Sequence, residues 1–510
     1  MARNIGSATS NFPKTNVTSA ITIPSLPSSN RPRLHNGSLE NDAFVWNRSW
    51  RTRLMSTCDL TVLLRLSRCR RLSPCMALTL WVLMLPILPE GLVQGHHARA
   101  ENWPQWRGPQ GTGVSGERSI PLIWNAQRNL LWKAELPQWG NSTPAVWEFL
   151  TFLTSHTEDG RLLVQTRRVD TGQLLWERQL GRESAPRQAP PRSTQKFHRL
   201  HNYATPSPVT NGSVVVVHFG NGLLAAFTID GKELWRRNLQ DDYGRYTIWW
   251  GHGNSPVLYD DLVISVCMQD SLSDVRDKPV DSYVVAHDLQ TGKVRWFVRR
   301  PTNAVAEECD AYTTPLIVRR GDHDELLIMG GNQLDAYDPS TGKQLWWLPG
   351  LKGGRTVTGP TVGHNMIFTT IGKRGALLGI DYPTTPGKQP RSRIRWQTRL
   401  GTPDTCSPVL WKEWLFVVSD QGVARCYDAR RGRNEWTKRL KGQYKASPIA
   451  VDGHIFFLNT EGLCTVVTAG PAFAKVAENK VDDTTLASPA VSNGRLFIRG
   501  RRYLWCIGRK

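Results

Sequence analysis

The stretches AHDLQTGKVRW (286–296) and AYDPSTGKQLW (336–346) carry Ala, Asp, Thr, Gly, Lys and Trp at the same offsets. Looser copies of this element occur at TRRVDTGQLLW (166–176), AFTIDGKELW (226–235) and CYDARRGRNEW (426–436), and a sixth, without the glycine, ends at Trp396. An element that recurs along a chain indicates a repeat architecture, in which each unit buries its apolar face only against its neighbours. The rest of the sequence can therefore be divided by these elements.

A second element, a small residue followed by proline and an apolar run, precedes each unit. It occurs eight times, as STPAV (142–146), PSPVT (206–210), NSPVL (254–258), TTPLI (313–317), TGPTV (358–362), CSPVL (406–410), ASPIA (446–450) and ASPAV (487–491). Apolar runs such as SVVVVHF (213–219) and HIFFLNT (454–460) follow it, and turn dipeptides such as Asn211-Gly212 separate them. No sustained 3.6-residue period is present, so the sequence predicts eight all-β units.

Tryptophan and glycine in the first element have a structural explanation. A twisted antiparallel sheet cannot bury both faces alone, so neighbouring sheets of a propeller must pack face to face. We expect each Trp to lie flat against the next sheet, with Gly leaving room for the close approach. The 21 tryptophans of the 510-residue chain are then mostly part of the architecture.

The A-x-D-x-x-T-G-x-x-x-W element resembles the tryptophan-docking motif of the PQQ-like β-propeller repeat family. That family, the quinoprotein alcohol dehydrogenase-like superfamily, includes BamB-like secreted members, and the opening WPQWRGPQG (103–111) resembles the leader of such members. The resemblance covers residues 103–510 and implies an all-β, eight-bladed propeller of four-stranded antiparallel blades. It also implies that an N-terminal strand, NLLWKAEL (129–136) with Trp132, closes the ring by completing the last unit (487–508).

The N-terminal region is typical of targeting sequence. Residues 1–64 are interpreted as an extension that is either disordered or upstream of the true start, for which Met55 is a candidate. Residues 65–100 resemble a signal peptide, with a basic stretch, the apolar run MALTLWVLMLPIL (76–88) and a cleavage signal ending at Ala100. We expect export to the periplasm, cell envelope or exterior, and a propeller over 101–510. If the apolar run is retained as an anchor, the membrane becomes a partner.

Charge and cysteine content exclude few functions. The net charge of +21 suits nucleic acid, anionic lipid or acidic glycan as partners, but it equally suits a solvated basic surface, and we expect no specific nucleic acid. The six cysteines beyond residue 100 form neither a Cys-x-x-Cys motif nor an adjacent pair. Zinc and dithiol chemistry are therefore not predicted, and buried free thiols are expected.

Two functions are compatible with the resemblance. The first is a non-catalytic, monomeric scaffold that binds a protein or polysaccharide in the cell envelope, as BamB-like members do, with no cofactor, metal or catalytic residue. The alternative is a dehydrogenase that oxidises alcohols or sugars with PQQ and calcium. Such enzymes are recognised by adjacent cysteines, a catalytic Asp and calcium ligands near the axis, and this sequence has neither a Cys-Cys pair nor a C-x-x-C-H motif.

Two links between units contain the candidate ligand-binding residues. The link between the second and third units contains Trp249, Trp250 and His252, whose rings can stack on a sugar or pack between blades. The link before the fourth unit contains Glu307, Glu308, Asp310 and Tyr312. Its three carboxylates suit Ca²⁺, an acid–base pair or an exposed acidic loop. The basic stretch 181–204 is a further candidate, for an anionic partner.

Overall fold

Each proline unit of the sequence forms one antiparallel sheet in the structure. The computed structural model describes residues 101–182, 198–270, 281–373 and 375–509. The chain divides into two compact units, Met1–Gly91 and Leu92–Lys510, and all described residues belong to the second. The predictions for residues 1–100 and for most of the 181–204 stretch lie outside the described residues. In the described part, no helix is long and apolar enough to cross a membrane.

The described residues form eight sheets, called blades 1 to 8 in chain order. Two short strands come first, β1 (Val114–Ser115) and β2 (Leu130–Glu135). Blade 1 has β3 (Ala145–Trp147), β4 (Leu150–His156), β5 (Arg161–Arg168) and β6 (Leu174–Arg182). Blade 2 has β7 (Val209–Thr210), β8 (Val214–His218), β9 (Leu223–Thr228) and β10 (Glu233–Asn238), followed by helix α1 (Leu239–Tyr243). Blade 3 has β11 (Val257–Tyr259), β12 (Leu262–Cys267), β13 (Tyr283–Asp288) and β14 (Val294–Arg299).

A 3₁₀ turn at Ala306–Cys309 leads into blade 4, with β15 (Leu316–Arg320), β16 (His323–Gly330), β17 (Gln333–Tyr337) and β18 (Gln344–Pro349). Blade 5 has β19 (Thr361–Gly363), β20 (Met366–Thr370), β21 (Leu377–Asp381) and β23 (Ile394–Thr398). Between β21 and β23 the chain forms β22 (Gly387–Lys388), which pairs with β18 of blade 4, and a 3₁₀ turn at Arg391–Arg393. Blade 6 has β24 (Val409–Trp411), β25 (Trp414–Val418), β26 (Val423–Asp428) and β27 (Asn434–Arg439). Blade 7 has β28 (Ile449–Val451), β29 (His454–Leu458), β30 (Leu463–Thr468) and β31 (Lys475–Lys480), and blade 8 has β32 (Ala490–Ser492), β33 (Arg495–Arg499) and β34 (Tyr503–Ile507).

The burial of each strand follows from its place in the blade. Middle strands are covered on both faces by the neighbouring blades, so β8 and β12 are buried along their whole length and read as continuous apolar runs. Outer strands face solvent on one side, so β27 and β14 include exposed positions. The all-β, eight-bladed fold predicted from the repeats is confirmed.

The tryptophans dock between blades as the sequence predicted. The indole Nε1 of Trp235 in blade 2 donates to the Leu289 carbonyl of blade 3 at 2.9 Å. A Cβ on Gly292, which has a φ of +67°, would lie 2.6 Å from that indole. Glycine is required there both by the backbone conformation and by the contact. The same pair of contacts recurs between blades 1 and 2 and between blades 5 and 6.

Strand β2 is the outer strand of blade 8. It pairs antiparallel with β34, and the Nε1 atom of its Trp132 donates to the Val169 carbonyl of blade 1 at 3.0 Å. The indole also covers Gly172, whose added Cβ would lie 2.6 Å from it. The N-terminal strand therefore joins the last blade to the first, which covers an otherwise open sheet edge.

Candidate functional site

A ring of hydroxyl groups, here called the hydroxyl belt, links the blades. It is formed by the residue before each unit's proline, and its members are Thr143, Ser207, Ser255, Thr314, Ser407, Ser447 and Ser488, with Gly359 in blade 5. The backbone N–H of one member donates to the hydroxyl of the next, for example from Thr143 to Ser207 at 2.9 Å and from Ser447 to Ser488 at 3.0 Å. Because each bond crosses from one blade to the next, the belt holds the inner strands in register.

Residues 101–117, here called the leader, lie against the inner strands on one side of the belt. Trp103 exchanges two backbone hydrogen bonds with blade 1, and the Pro104 carbonyl accepts one from blade 2 at 2.9 Å. The Arg107 guanidinium donates to a blade 6 carbonyl at 2.5 Å, and the Gly113 carbonyl accepts from blade 7 at 2.9 Å. One short segment therefore binds four separate blades, and its partners are at or after the proline of each unit.

A cavity of about 390 Å³ lies on the other side of the belt. Its wall includes the residue two positions before the belt member in each blade, namely Asn141, Thr205, Gly253, Tyr312, Val357, Thr405, Lys445 and Leu486. In extended chain, residues two apart point the same way, and in blades 2, 3, 4, 7 and 8 the belt residue and the wall residue both line the cavity. We call this cavity the axial pocket. Each of the eight blades contributes the residue at this equivalent position to its wall.

The floor of the axial pocket is aromatic and comes from the leader. Trp106 lines the pocket and rests on Gly359, where an added Cβ would lie 3.1 Å from the indole. Blade 5 is thus the blade whose belt position holds glycine in place of a hydroxyl residue, and the indole occupies the space this leaves. The adjacent Arg107 guanidinium is 5.7 Å from the Trp106 ring centroid and is itself buried, so the ring is held in place.

Charged groups form the pocket wall. Arg355 makes a two-pronged ion pair with Asp404, at 2.7 and 2.9 Å, and lies 3.7 Å from Glu307. Burial lowers the pKa of Arg355, but the hydrogen bonds and charge of Asp404 outweigh it and raise that pKa above its usual value. This one guanidinium is paired with both pocket carboxylates, so the charge of each is only partly offset.

Two lysines also line the pocket. Lys445 forms an ion pair with Asp420 at 2.5 Å, whereas Lys373 has no ion-pair partner within the described ranges. Burial, with a smaller contribution from Lys445, lowers the pKa of the neighbouring His198. His198 is therefore neutral at pH 7, and Lys373 is an uncompensated positive charge at the pocket mouth.

The structure brings Trp250 and Tyr312 into the axial pocket. Trp250 is 37% exposed, and its Nε1 donates to Glu307 at 3.2 Å, while its ring meets His198 edge-on with centroids 5.6 Å apart. The Tyr312 hydroxyl accepts the Trp250 backbone N–H at 3.4 Å. Burial, with the Asp310 charge, raises the pKa of Tyr312 well above its usual value, so it is a neutral donor and acceptor.

The other candidates lie behind the pocket wall. Asp310 is fully buried and accepts the Trp249 backbone N–H at 2.7 Å, and Glu308 accepts from the Asn332 side chain at 2.7 Å. His252 is buried between the blades, away from the pocket lining. Residues 307–310 do not form a fully exposed acidic loop. Asp310 is buried, and its carboxylate accepts the Trp249 backbone N–H of the link between blades 2 and 3.

The described residues do not fit a calcium site of the dehydrogenase type. No group of three or more His, Cys, Asp or Glu among them is placed to hold a metal ion. The two carboxylates that line the pocket, Glu307 and Asp404, are bound to Arg355. The six cysteines of this part are all buried, as the sequence predicted.

Sequence reasoning missed Trp106, Arg355, Lys373 and Lys445. A signal for Lys445 was present, because the position two before each belt residue contributes to the wall in every blade. Among the eight proline elements, only TGPTV (358–362) has glycine before the proline, where the others have serine or threonine. This glycine marked the place of Trp106. No repeat position predicts Arg355, on the link between blades 4 and 5, or Lys373, in the turn between β20 and β21 of blade 5.

Comparisons with known proteins agree on the fold. A family model described as outer membrane protein assembly factor BamB matches residues 110–268, 280–385 and 388–475. The structure of BamB from Moraxella catarrhalis is similar, with a TM-score of 0.51 and 15% identity over 74% of this chain and 99% of that one. Quinohemoprotein alcohol dehydrogenase from Comamonas testosteroni is also similar (TM-score 0.55, 14% identity, 82% of each chain), as is a europium-containing methanol dehydrogenase (TM-score 0.56, 13% identity, 78% of this chain and 89% of that one). No curated protein matches the chain in sequence.

Proposed function

The chain belongs to the family described as outer membrane protein assembly factor BamB, and from that premise we propose that it is an exported, non-catalytic propeller of the cell envelope that binds a polysaccharide in its axial pocket. The observation that carries the proposal is the pocket itself. It combines an aromatic floor, Trp106, with a belt of small hydroxyl side chains and a wall that includes Trp250 and Tyr312.

The dimensions and chemistry of the pocket suit a sugar unit. A cavity of about 390 Å³ lies within the usual range of small-molecule sites, roughly 300–1,000 Å³. The flat apolar face of a sugar ring packs well on an indole, and its hydroxyls need donors and acceptors around the rim. Asn141, Thr205 and Thr405 supply such groups from three different blades.

The test is titration calorimetry of purified protein with oligosaccharides prepared from envelope polysaccharides. We expect binding that W106L weakens at least tenfold, because the substitution removes the floor. W414L is the matched control, since Trp414 is a half-buried residue of blade 6 outside the pocket. Absence of binding by any oligosaccharide, or equal effects of the two substitutions, would refute the proposal.

The second candidate ligand of such a scaffold is an envelope protein instead of a polysaccharide. The family description names a role in outer membrane assembly, and the propeller could hold an envelope protein through the loops around the pocket mouth. Exposed apolar side chains, Val305 and Leu400, occur on the links that also carry Glu307 and Asp404. Co-purification from an envelope extract, repeated with V305D/L400D, tests this candidate. Loss of one specific partner from the variant would support it.

The dehydrogenase alternative rests on the fold shared with two quinoprotein dehydrogenases. The Trp106 floor suits a planar quinone, but the described residues do not fit calcium, because the pocket carboxylates are bound to Arg355. Absorbance titration with PQQ and Ca²⁺, followed by turnover of alcohols with a dye acceptor, decides between the two functions. Tight quinone binding with turnover would replace the scaffold proposal.

A further inference from the structure

The hydroxyl belt presents hydrogen-bond donors to the axial pocket. Five of its members line the pocket: Ser207, Ser255, Thr314, Ser447 and Ser488. Each of these hydroxyl oxygens accepts a backbone N–H from the preceding blade. None of the five donates its own hydroxyl hydrogen to an acceptor anywhere in the described chain. One acceptor lone pair of each hydroxyl is thus used within the fold, and its donor hydrogen remains.

Two hydroxyl members of the belt, Ser407 and Thr143, do not line the pocket, and of these only Thr143 donates its hydroxyl hydrogen within the described chain. Its hydroxyl donates to the Ser488 carbonyl at 3.1 Å, so its hydrogen is used within the protein, and it is not part of the pocket lining. The five pocket-lining hydroxyls differ from it in both respects. Five donors that converge from different blades suit a ligand group made only of acceptors.

The charges at the wall favour the same kind of group. The carboxylates of Glu307 and Asp404 are held by Arg355, so they oppose an incoming anion less than free carboxylates would. Lys445 is buried to a similar degree as Arg355, and its ammonium group is shared with Asp420. Lys373, exposed and without an acidic partner in the described residues, adds a full positive charge at the mouth. Among the lining groups, Arg355, Lys373 and Lys445 carry three positive charges against the two negative charges of Glu307 and Asp404, so a negatively charged ligand group is compatible with the wall and is favoured by the free hydroxyl donors.

We propose that the axial pocket selects a carboxylate-bearing sugar, such as a uronic acid unit, whose carboxylate accepts hydrogen bonds from the belt hydroxyls while its ring packs on Trp106. This inference rests on the proposed function, because it names the class of polysaccharide that the same pocket takes. A carboxylate is acceptor-only and can receive several hydrogen bonds at once, whereas a neutral sugar hydroxyl needs an acceptor in return. The belt offers five hydroxyl hydrogens that have no acceptor among the described residues, which a carboxylate can use without donating in return.

The test compares two trisaccharides of the same linkage, trigalacturonate and a neutral galactose trimer, by titration calorimetry with the whole protein. We expect trigalacturonate to bind at least tenfold more tightly at 50 mM NaCl, with the advantage shrinking at 300 mM because salt screens charge. Equal affinities would overturn the inference and leave the proposed function standing. Failure of both sugars to bind would also overturn the inference, and the titrations with envelope oligosaccharides would then decide the proposed function separately.

Matched variants locate the effect in the belt. T314V removes one pocket donor and keeps the side-chain shape, and the belt bond it breaks, from the Ser255 N–H at 3.3 Å, is the longest. We expect it to weaken trigalacturonate binding about tenfold, the value of one hydrogen bond to a charged group. T143V breaks a belt bond of similar length, 3.1 Å, but removes no pocket donor, so its affinity should stay at the wild-type value. Equal losses in the two variants would overturn the inference.

Two lysine substitutions provide a test that leaves all belt residues unchanged. K373M removes the unpaired charge from the pocket mouth, and Lys373 is exposed, so the fold should tolerate the change. K343M is the control, since Lys343 is exposed on an outer turn of blade 4. We expect K373M to weaken trigalacturonate binding about fivefold while the neutral trimer is unaffected, and K343M to change neither. An equal effect of K373M on both sugars would contradict the inference.

Discussion

Mild acid should destabilise this protein through histidines buried between blades 2 and 3. His218 of β8 and His252 are both buried, with ring centroids 4.5 Å apart, and His287 of β13 is buried nearby. Burial lowers the pKa of His252 to about 3 and that of His287 to about 4, and it lowers that of His218 well below its usual value. His252 and His287 are therefore neutral in the folded protein at pH 5 and above, and the pKa shift of His218 has the same direction.

The sign and size of the effect follow from the proton balance. An unfolded histidine has a pKa of about 6.5 and takes up a proton as the pH falls to 5, whereas the folded one does not. The unfolded state is favoured by this uptake, so stability is present above pH 6.5 and is lost as the pH falls. His252 and His287 each cost about 2 kcal/mol between pH 7.5 and 5, and the two together about 4 kcal/mol. The cost depends little on the folded pKa of these two histidines, because both values already lie below pH 5.

Urea denaturation at pH 7.5 and pH 5 measures the loss directly. In H252Q/H287Q we expect the change in unfolding free energy between the two pH values to be about 4 kcal/mol smaller than in the wild type, whatever the variant's stability at pH 7.5. H454Q, which removes a half-buried histidine of blade 7, is the control and should keep the wild-type change. An equal pH dependence in wild type and double variant would refute the reasoning.

Three further predictions concern packing. G292A should lower the free energy of unfolding, measured by urea denaturation, by about 3 kcal/mol, because it adds both left-handed backbone strain and a clash with a docked indole. G453A, with a similar φ and nothing within 4 Å, should lower it by about 1 kcal/mol. Equal losses in the two variants would contradict the docking role. W132A should lower the unfolding free energy by about 3 kcal/mol, because the contact between blades 8 and 1 is lost, and an unchanged melting temperature would contradict it. G359S should displace Trp106 and weaken oligosaccharide binding in calorimetry with little change in melting temperature; unchanged affinity would show that the indole does not form the floor.

The candidate site was only partly predictable. The sequence indicates Trp250 and Tyr312 as candidate ligand-binding residues because they are aromatic and lie on the inserted links, and both line the pocket. Asp310 and His252 belonged to the same links, yet both are buried behind the wall. Residue type and position in a link do not reveal which way a side chain faces, because the links lack the strict alternation of the strands. That direction is set by packing between neighbouring blades.

The sequence by itself determined the fold, because the Trp–Gly and Ser/Thr–Pro elements repeat at positions where every blade meets the same packing problem. A short-range pattern, repeated, is enough to specify how one blade packs on the next. The axial pocket was decided only by the tertiary structure. Its wall takes one residue from each of eight blades, and its floor is Trp106 from a leader that binds at least four of them. Those residues are hundreds of positions apart in the chain, and the arrangement of the blades around a common axis brings them together.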